Sequence, residues 1–159
     1  MRIENIEKLI FLQKSKEVNS KFFIDMAHEI EYSILLEKKF PNEIFNMYMR
    51  IFLDKELLVK SGIYSFMFHL YNDFNKLSFF QKRNLKIVLI NISMYLLDDE
   101  LKFVILDLFL RKFRYKDMQE MMAIIKEKGL DINDNDIVYA VSEMIESYDS
   151  GLMKDTNIG

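Results

Sequence analysis

The chain has 159 residues, 50% hydrophobic and 30% charged, with four Gly, one Pro, no Cys and a formal net charge of −3. At that length a compact fold buries roughly two-thirds or more of its unfolded surface without metal or disulfide staples, so one helical domain is expected over residues 1–150, with a short flexible tail at 151–159. The missing cysteines exclude a disulfide scaffold, a thiolate zinc site, an iron–sulfur cluster and a cysteine nucleophile, and the apolar half of the chain excludes disorder.

Helical punctuation runs from end to end, whereas the few Gly and Pro cannot supply the turns of a β-rich chain. The first helix is expected near Ile3 to Gln13, with Ile3, Ile6 and Ile10 on one face. The second follows a cap at Asn19 or Ser20 and repeats Phe23, Ala27, Ile30 and Ile34 at helical spacing. Pro41 opens a third through Ile44, Met47, Tyr48 and Ile51. Asp54 and Lys60-Ser61-Gly62 bracket a short helical turn, Gly62 serving as a left-handed stop before a helix over Ile63 to Asn75.

Ser78 followed by Gln81 has the spacing of a capping box and predicts a long helix from Phe79 to Leu97. Asp98 and Asp99 cap and charge the start of the next, Glu100 to Phe113. Further helices are expected at Lys116 to Lys128, closed by Gly129, and at Asp134 to Ser147. Leu85 to Leu97 and Leu101 to Leu110 are apolar on nearly every side, which places them in the middle of the core. Short connections make successive helices antiparallel neighbours. The expectation is an all-α fold of about eight antiparallel helices, arranged either as a short HEAT-like array of helical hairpins or as an irregular orthogonal bundle.

Candidate chemistry is sparse. Ser65, His69 and Asp73 fall at i, i+4 and i+8 on one helix, but a nucleophilic serine needs an exposed hydroxyl beside free amides, and mid-helix amides are spent. A polar stripe in which His69 bonds Asp73 is expected instead. Asp25, His28 and Glu29 have the spacing of a helical metal site, yet the chain has only two His, on separate helices, so a surface charge cluster is expected. The segment Asp131 to Val138 begins like a calcium loop, but Asp136 stands where Gly is required and Ser142 where the bidentate acid belongs. It reads as a turn whose Asx side chains cap the last helix. Asp107, inside FVILDLFL, is expected to pair with Arg111 one turn later, and Met118, Met121, Met122 and Ile125 to form core spacing. No catalytic, cofactor or metal residue is assigned, and the chain is expected not to be an enzyme.

Charge is distributed unevenly. Residues 1–97 carry 14 Lys/Arg and 11 Asp/Glu, whereas residues 129–159 carry one Lys and seven acids. In the last helix Ile137, Val141, Met144, Ile145 and Tyr148 form an inward stripe. Asp136, Tyr139, Glu143 and Glu146 fall within about 80° of one another on the other side at 3.6 residues per turn. With Asp131, Asp134 and Asp149 they make an acidic surface around a tyrosine. Such a surface fits a basic protein partner and repels nucleic acid; the competing reading is a solvated outer face on a terminal capping helix.

The stretch QKRNLKIVLINISMYLLDDELKFVILDLFLRKF (Gln81 to Phe113) reads as a HEAT-type helix pair. Together with the acidic segment Asp131 to Asp149, and with an Ile-, Lys-, Phe- and Asn-rich composition that shares AT-rich codons, it resembles the helical immunity proteins of bacterial toxin systems, including those of contact-dependent growth inhibition. That resemblance implies neutralisation of a cognate toxin, a basic nuclease, by masking its active site in the cytoplasm; it carries over no functional residues. Glu4 and Glu7 interrupt the segment where an export signal would lie. Apolar runs such as 87–90 and 103–106 are four residues long, against roughly 20 for a bilayer span, so no membrane partner is expected. The alternative is a helical-repeat adaptor or regulatory protein that binds another polypeptide.

Overall fold

A computed structural model describes residues 2–154, apart from the side chain of Asp134; positions 155–159 of the expected tail lie outside the described residues. Among the described residues there are nine α-helices and no strand, in agreement with the all-α expectation. They are α1 (Ile3–Phe11), α2 (Ser20–Ile34), α3 (Asn42–Phe52), a single turn α4 (Lys55–Leu58), α5 (Tyr64–Asn72), α6 (Phe79–Ile92), α7 (Asp99–Phe103), α8 (Tyr115–Lys128) and α9 (Asp136–Asp149). Short 3-10 turns occupy Phe74–Lys76, Leu110–Lys112 and Ile132–Asp134.

Local chemistry sets most of these boundaries. The Asp54 carboxylate accepts the amides of Glu56 and Leu57 and opens α4. At α6 the capping box is complete: Ser78 Oγ accepts from the Gln81 amide while Gln81 Oε1 accepts from the Ser78 amide. Gly129, at φ 66°, closes α8 with its amide on the Lys126 carbonyl and the Leu130 amide on that of Ile125, the paired bonds of a Schellman stop. The expected Asn19 cap makes no side-chain bond.

Two expected boundaries are corrected. The helix drawn to Leu97 ends at Ile92, because the Ser93 hydroxyl bonds back to the Ile90 carbonyl and the Ser93 carbonyl accepts from the Asn135 side chain rather than from a later amide. The last helix begins two residues later than expected, since Asn135, not Asp134, supplies the capping oxygen, to the amides of Ile137 and Val138. A third departure lies beyond Phe103: residues Val104–Phe109 wind as a π-turn, which takes up an extra residue. Within it Asp107 is exposed, so its charge stays in water and does not depend on a partner.

The packing runs along two lines of helices. On one, α1 meets α3, α3 meets α6 and α6 meets α8; on the other, α2 meets α5, α5 meets α7 and its π-turn, and the π-turn meets α9. Each long helix thus packs on the next but one, the neighbour relation of stacked helical hairpins. Successive helices are strong neighbours at α8 and α9 but not as the general rule that short connections suggested.

The core correction follows from the same arrangement. The stretches expected at the centre do supply Leu85, Leu89, Leu101, Ile105 and Phe109, yet Leu96 and Phe103 are exposed, the latter by 56%. The most enclosed helix is α3, which buries seven of its eleven residues, Tyr48 and Phe52 completely. It lies between α1 and α6. Met118, Met121 and Ile125 of α8 are buried as expected, with Met122 packed beside them.

Polar clamps tie these layers. Lys86 of α6 is only 4% exposed, and its Nζ donates to Asp117 Oδ1 at 2.8 Å and to Glu120 of α8. Arg50 of α3 grips both carboxylate oxygens of Glu7 on α1. A lysine held inside a fold is tolerable only with such partners.

Two glycines make a matched test of the backbone. Gly62 has φ 89°, and a Cβ there would lie 2.5 Å from the Ser20 carbonyl oxygen at the start of α2; Gly129 has φ 66° and nothing within 4 Å of the corresponding position. Gly129→Ala should therefore cost only the left-handed penalty, about 1–2 kcal/mol. Gly62→Ala adds a backbone clash and should cost roughly 3 kcal/mol or more. Urea unfolding of the two variants measures both; equal losses would contradict the close approach of α2 to the turn before α5.

Candidate functional site

The acidic surface expected on the last helix is present, and its members differ in how far they are engaged. Tyr139 is 52% exposed, and Glu143 and Glu146 are exposed; none of the three side chains makes a hydrogen bond or ion pair among the described residues. Asp136 is exposed but pairs with Lys102 of α7. Asp149 accepts from the Tyr115 hydroxyl of α8. Asp131 accepts from the Asn133 amide and holds the turn before α9, and the Asp134 side chain lies outside the described residues. Of the seven expected positions, Tyr139, Glu143 and Glu146 are thus those with exposed side chains free of polar partners among the described residues.

The inner side of α9 explains this orientation. Ile137, Val138 and Val141 are buried, while Met144, Ile145 and Tyr148 are packed against the core. Val138 was not in the expected stripe; it joins because α9 packs on both the π-turn and α8, which widens the buried face beyond a single line. Tyr148 also stacks on Tyr115 with ring centres 5.1 Å apart.

A second polar constellation lies inside the fold. His69 is 2% exposed, and its Nδ1 is 2.7 Å from the hydroxyl of the fully buried Tyr48. On the other side Nε2 stands 2.9 Å from Asp73 Oδ2. The expected approach of His69 to Asp73 is thus observed as a close contact, although neither His69 Nε2 nor Asp73 Oδ2 makes a hydrogen bond of good geometry among the described residues. Ser65, one turn earlier, also has a buried Oγ without one.

Two more groups frame the histidine. Asp73 Oδ1 is held by Lys76 Nζ at 3.4 Å, and Glu31 of α2 brings a carboxylate oxygen to within 4.8 Å of the His69 and Asp73 donor atoms. A pocket of about 360 Å³, lined in part by Ile24, Glu31, Ser65, Phe68 and His69, opens beside them. Burial lowers the His69 pKa below its ordinary value, against the opposing pull of Asp73 and Glu31. Burial likewise raises the Tyr48 phenol well above its usual range. Both are therefore neutral near pH 7 and share one hydrogen bond.

Sequence spacing exposed only the part of this cluster that lies on α5. Tyr48 and Glu31 come from α3 and α2, 21 and 38 positions away from His69, and neither carries a local signal that separates it from a core tyrosine or a surface acid. The ligand set considered from spacing, Asp25, His28 and Glu29, is exposed on α2, with Asp25 paired to Lys21.

Two measurements follow. Tyr48→Phe would leave His69 Nδ1 buried without its partner, a loss of about 1–3 kcal/mol, read by urea unfolding. The lowered His69 pKa means that, just below pH 6.5, the unfolded chain binds a proton that the fold resists. This contribution is fully present above that pH and declines as pH falls through the unfolded value toward the folded one. In EDTA the wild-type Tm should fall more steeply between about pH 7 and 5 than that of His69→Gln; parallel curves would remove His69 as the cause. No family model matches the chain, and no curated protein or solved structure does either, so the functional reading rests on these residues.

Proposed function

We propose that the protein is a binding protein that neutralises a basic protein toxin in the cytoplasm, taking it on the outer face of α9. The observation that carries this reading is the open set Tyr139, Glu143 and Glu146, an exposed aromatic ring among carboxylates whose side chains have no hydrogen-bond or ion-pair partner among the described residues. Aromatic side chains serve as interface anchors, and carboxylates of one sign accelerate the encounter with a basic partner. Stacked helical hairpins give such a face a firm base, because α9 is anchored by Ile137, Val138 and Val141. Asp136 contributes less to steering than the sequence pattern suggests, since Lys102 offsets its charge.

The test is growth rescue. The product of the adjoining reading frame is expressed with and without this protein, and binding of the purified pair is followed by surface plasmon resonance. Rescue by the wild type is expected. Glu143→Lys with Glu146→Lys should slow association and flatten its salt dependence. Tyr139→Ala should speed dissociation by about thirtyfold, near 2 kcal/mol. All three side chains point away from the core, so the melting temperatures should stay near native. Unaltered rates in both variants would remove α9 as the interface, and an adjoining product that is harmless and unbound would remove the antitoxin reading.

A further inference from the structure

The polar cluster around His69 is incomplete as a protein-only network. Buried donors and acceptors are normally paired, and each one left alone costs free energy comparable to a lost hydrogen bond. Here His69 Nε2 and Asp73 Oδ2, both buried, face each other at 2.9 Å without a hydrogen bond of good geometry among the described residues, so the carboxylate attracts the ring but does not fully satisfy it. Glu31 supplies a third donor, all three lying within 4.8 Å of one another, and it makes no hydrogen bond or ion pair of its own among the described residues. No other group of three or more His or acidic side chains among the described residues meets this condition.

One imidazole nitrogen with two carboxylate oxygens is a mixed donor set that suits a divalent transition metal, with one His fewer than the usual three-ligand zinc centre but with its donors converging from two helices. Imidazole favours zinc and its neighbours, and three protein ligands with an open position make a reactive rather than a closed centre. The surroundings orient the ligands from outside. With Nε2 on a metal, Nδ1 carries the proton and donates to the Tyr48 hydroxyl oxygen, which fixes ring and tautomer. Lys76 Nζ holds the other oxygen of Asp73, leaving Oδ2 turned toward His69. Ligand atoms of a tetrahedral zinc site stand roughly 3.4 Å apart at bond lengths near 2.1 Å, so a small swing of the Glu31 side chain closes the set. The side left open gives onto the pocket of about 360 Å³ beside Ser65 and Phe68.

We propose that Glu31, His69 and Asp73 bind one divalent transition-metal ion, with Zn²⁺ the best fit, in a three-ligand site that joins α2 to α5 and opens onto this pocket. The site is independent of the acidic face of α9, and the donor set spans two helices, which is why spacing within one helix did not disclose it.

Protein stripped with EDTA and exchanged into chelator-free buffer should bind one equivalent of Zn²⁺ and gain melting temperature on loading. Co²⁺ in its place should give the visible absorption band of a low-coordinate site. Binding should weaken as pH falls through the range where His69 takes a proton, and the Nε2 resonance of His69 should move on Zn²⁺ addition. Glu31→Gln, which breaks no hydrogen bond or ion pair among the described residues, should weaken Zn²⁺ at least about tenfold, and Asp73→Asn likewise. Asp25→Asn, on the exposed side of α2 where Asp25 pairs with Lys21, should leave binding unchanged. No uptake by wild type with Zn²⁺ at about 1 mM, affinity unaltered in Glu31→Gln, or loss of binding in Asp25→Asn would each overturn the proposal.

Discussion

The hydrogen bond between Tyr48 and His69 joins the two lines of helices at their most enclosed point. Tyr48 belongs to α3, in the line of α1, α6 and α8, whereas His69 belongs to α5, in the other. Around this polar bond the contact is aromatic: Phe66 lies 5.2 Å from the Tyr48 ring, and Phe40 lies 5.6 Å from that of His69. Apolar rings can slide on one another at little cost, but a single directed bond in a medium that excludes water cannot be replaced by a neighbour. The register between the two layers is therefore fixed at this buried point, with the bonds of Asn135 to Ser93 and of Tyr115 to Asp149 joining the same two lines nearer the surface, and the position of Asp73 and Glu31 relative to the ring follows from it.

The outer parts of the array are held differently. Arg50 with Glu7, Lys86 with Asp117 and Glu120, and Lys102 with Asp136 each link a helix to the next in its own line. These pairs become more exposed toward the ends: Lys86 is enclosed, while Lys102 and Asp136 are open to water. Exposed pairs contribute little to stability, so the last helix depends mainly on Ile137, Val138 and Val141 and on the Asn135 cap. A helix secured by its inner side and by one end leaves its outer side without structural duties, and that is the side on which Tyr139, Glu143 and Glu146 stand.

What the sequence disclosed and what it withheld divide along the range of the interactions. The Ser78 and Gln81 box, the Asp54 cap and the Gly129 stop act over three or four residues, and each was legible from spacing. The end of α6 was not, because the Ser93 carbonyl is taken by Asn135, 42 positions later. The same limit hid the burial of α3, whose Asn42, Glu43, Asn46 and Arg50 make it look like a surface helix, although partners enclose it on two sides. For the candidate site, the exposed carboxylates of α9 were readable because a helix wheel needs only local geometry. The cluster at His69 was readable only in its α5 half, since Glu31 and Tyr48 arrive through the tertiary fold.

The π-turn at Val104–Phe109 has a consequence for how this chain can change length. A π-turn is a helix carrying one residue more than its hydrogen-bond ladder needs. The widened turn absorbs that residue, so deleting it would let the segment relax into a regular helix while Phe109, Leu110 and Phe113, buried among Tyr71 and Phe74, keep nearly their present phase. A deletion inside a regular helix such as α3 or α6 would instead rotate everything after it by about 100°. The segment thus holds slack in the chain, and a residue lost from it ought to disturb the aromatic block behind it far less than a residue lost from α3 or α6.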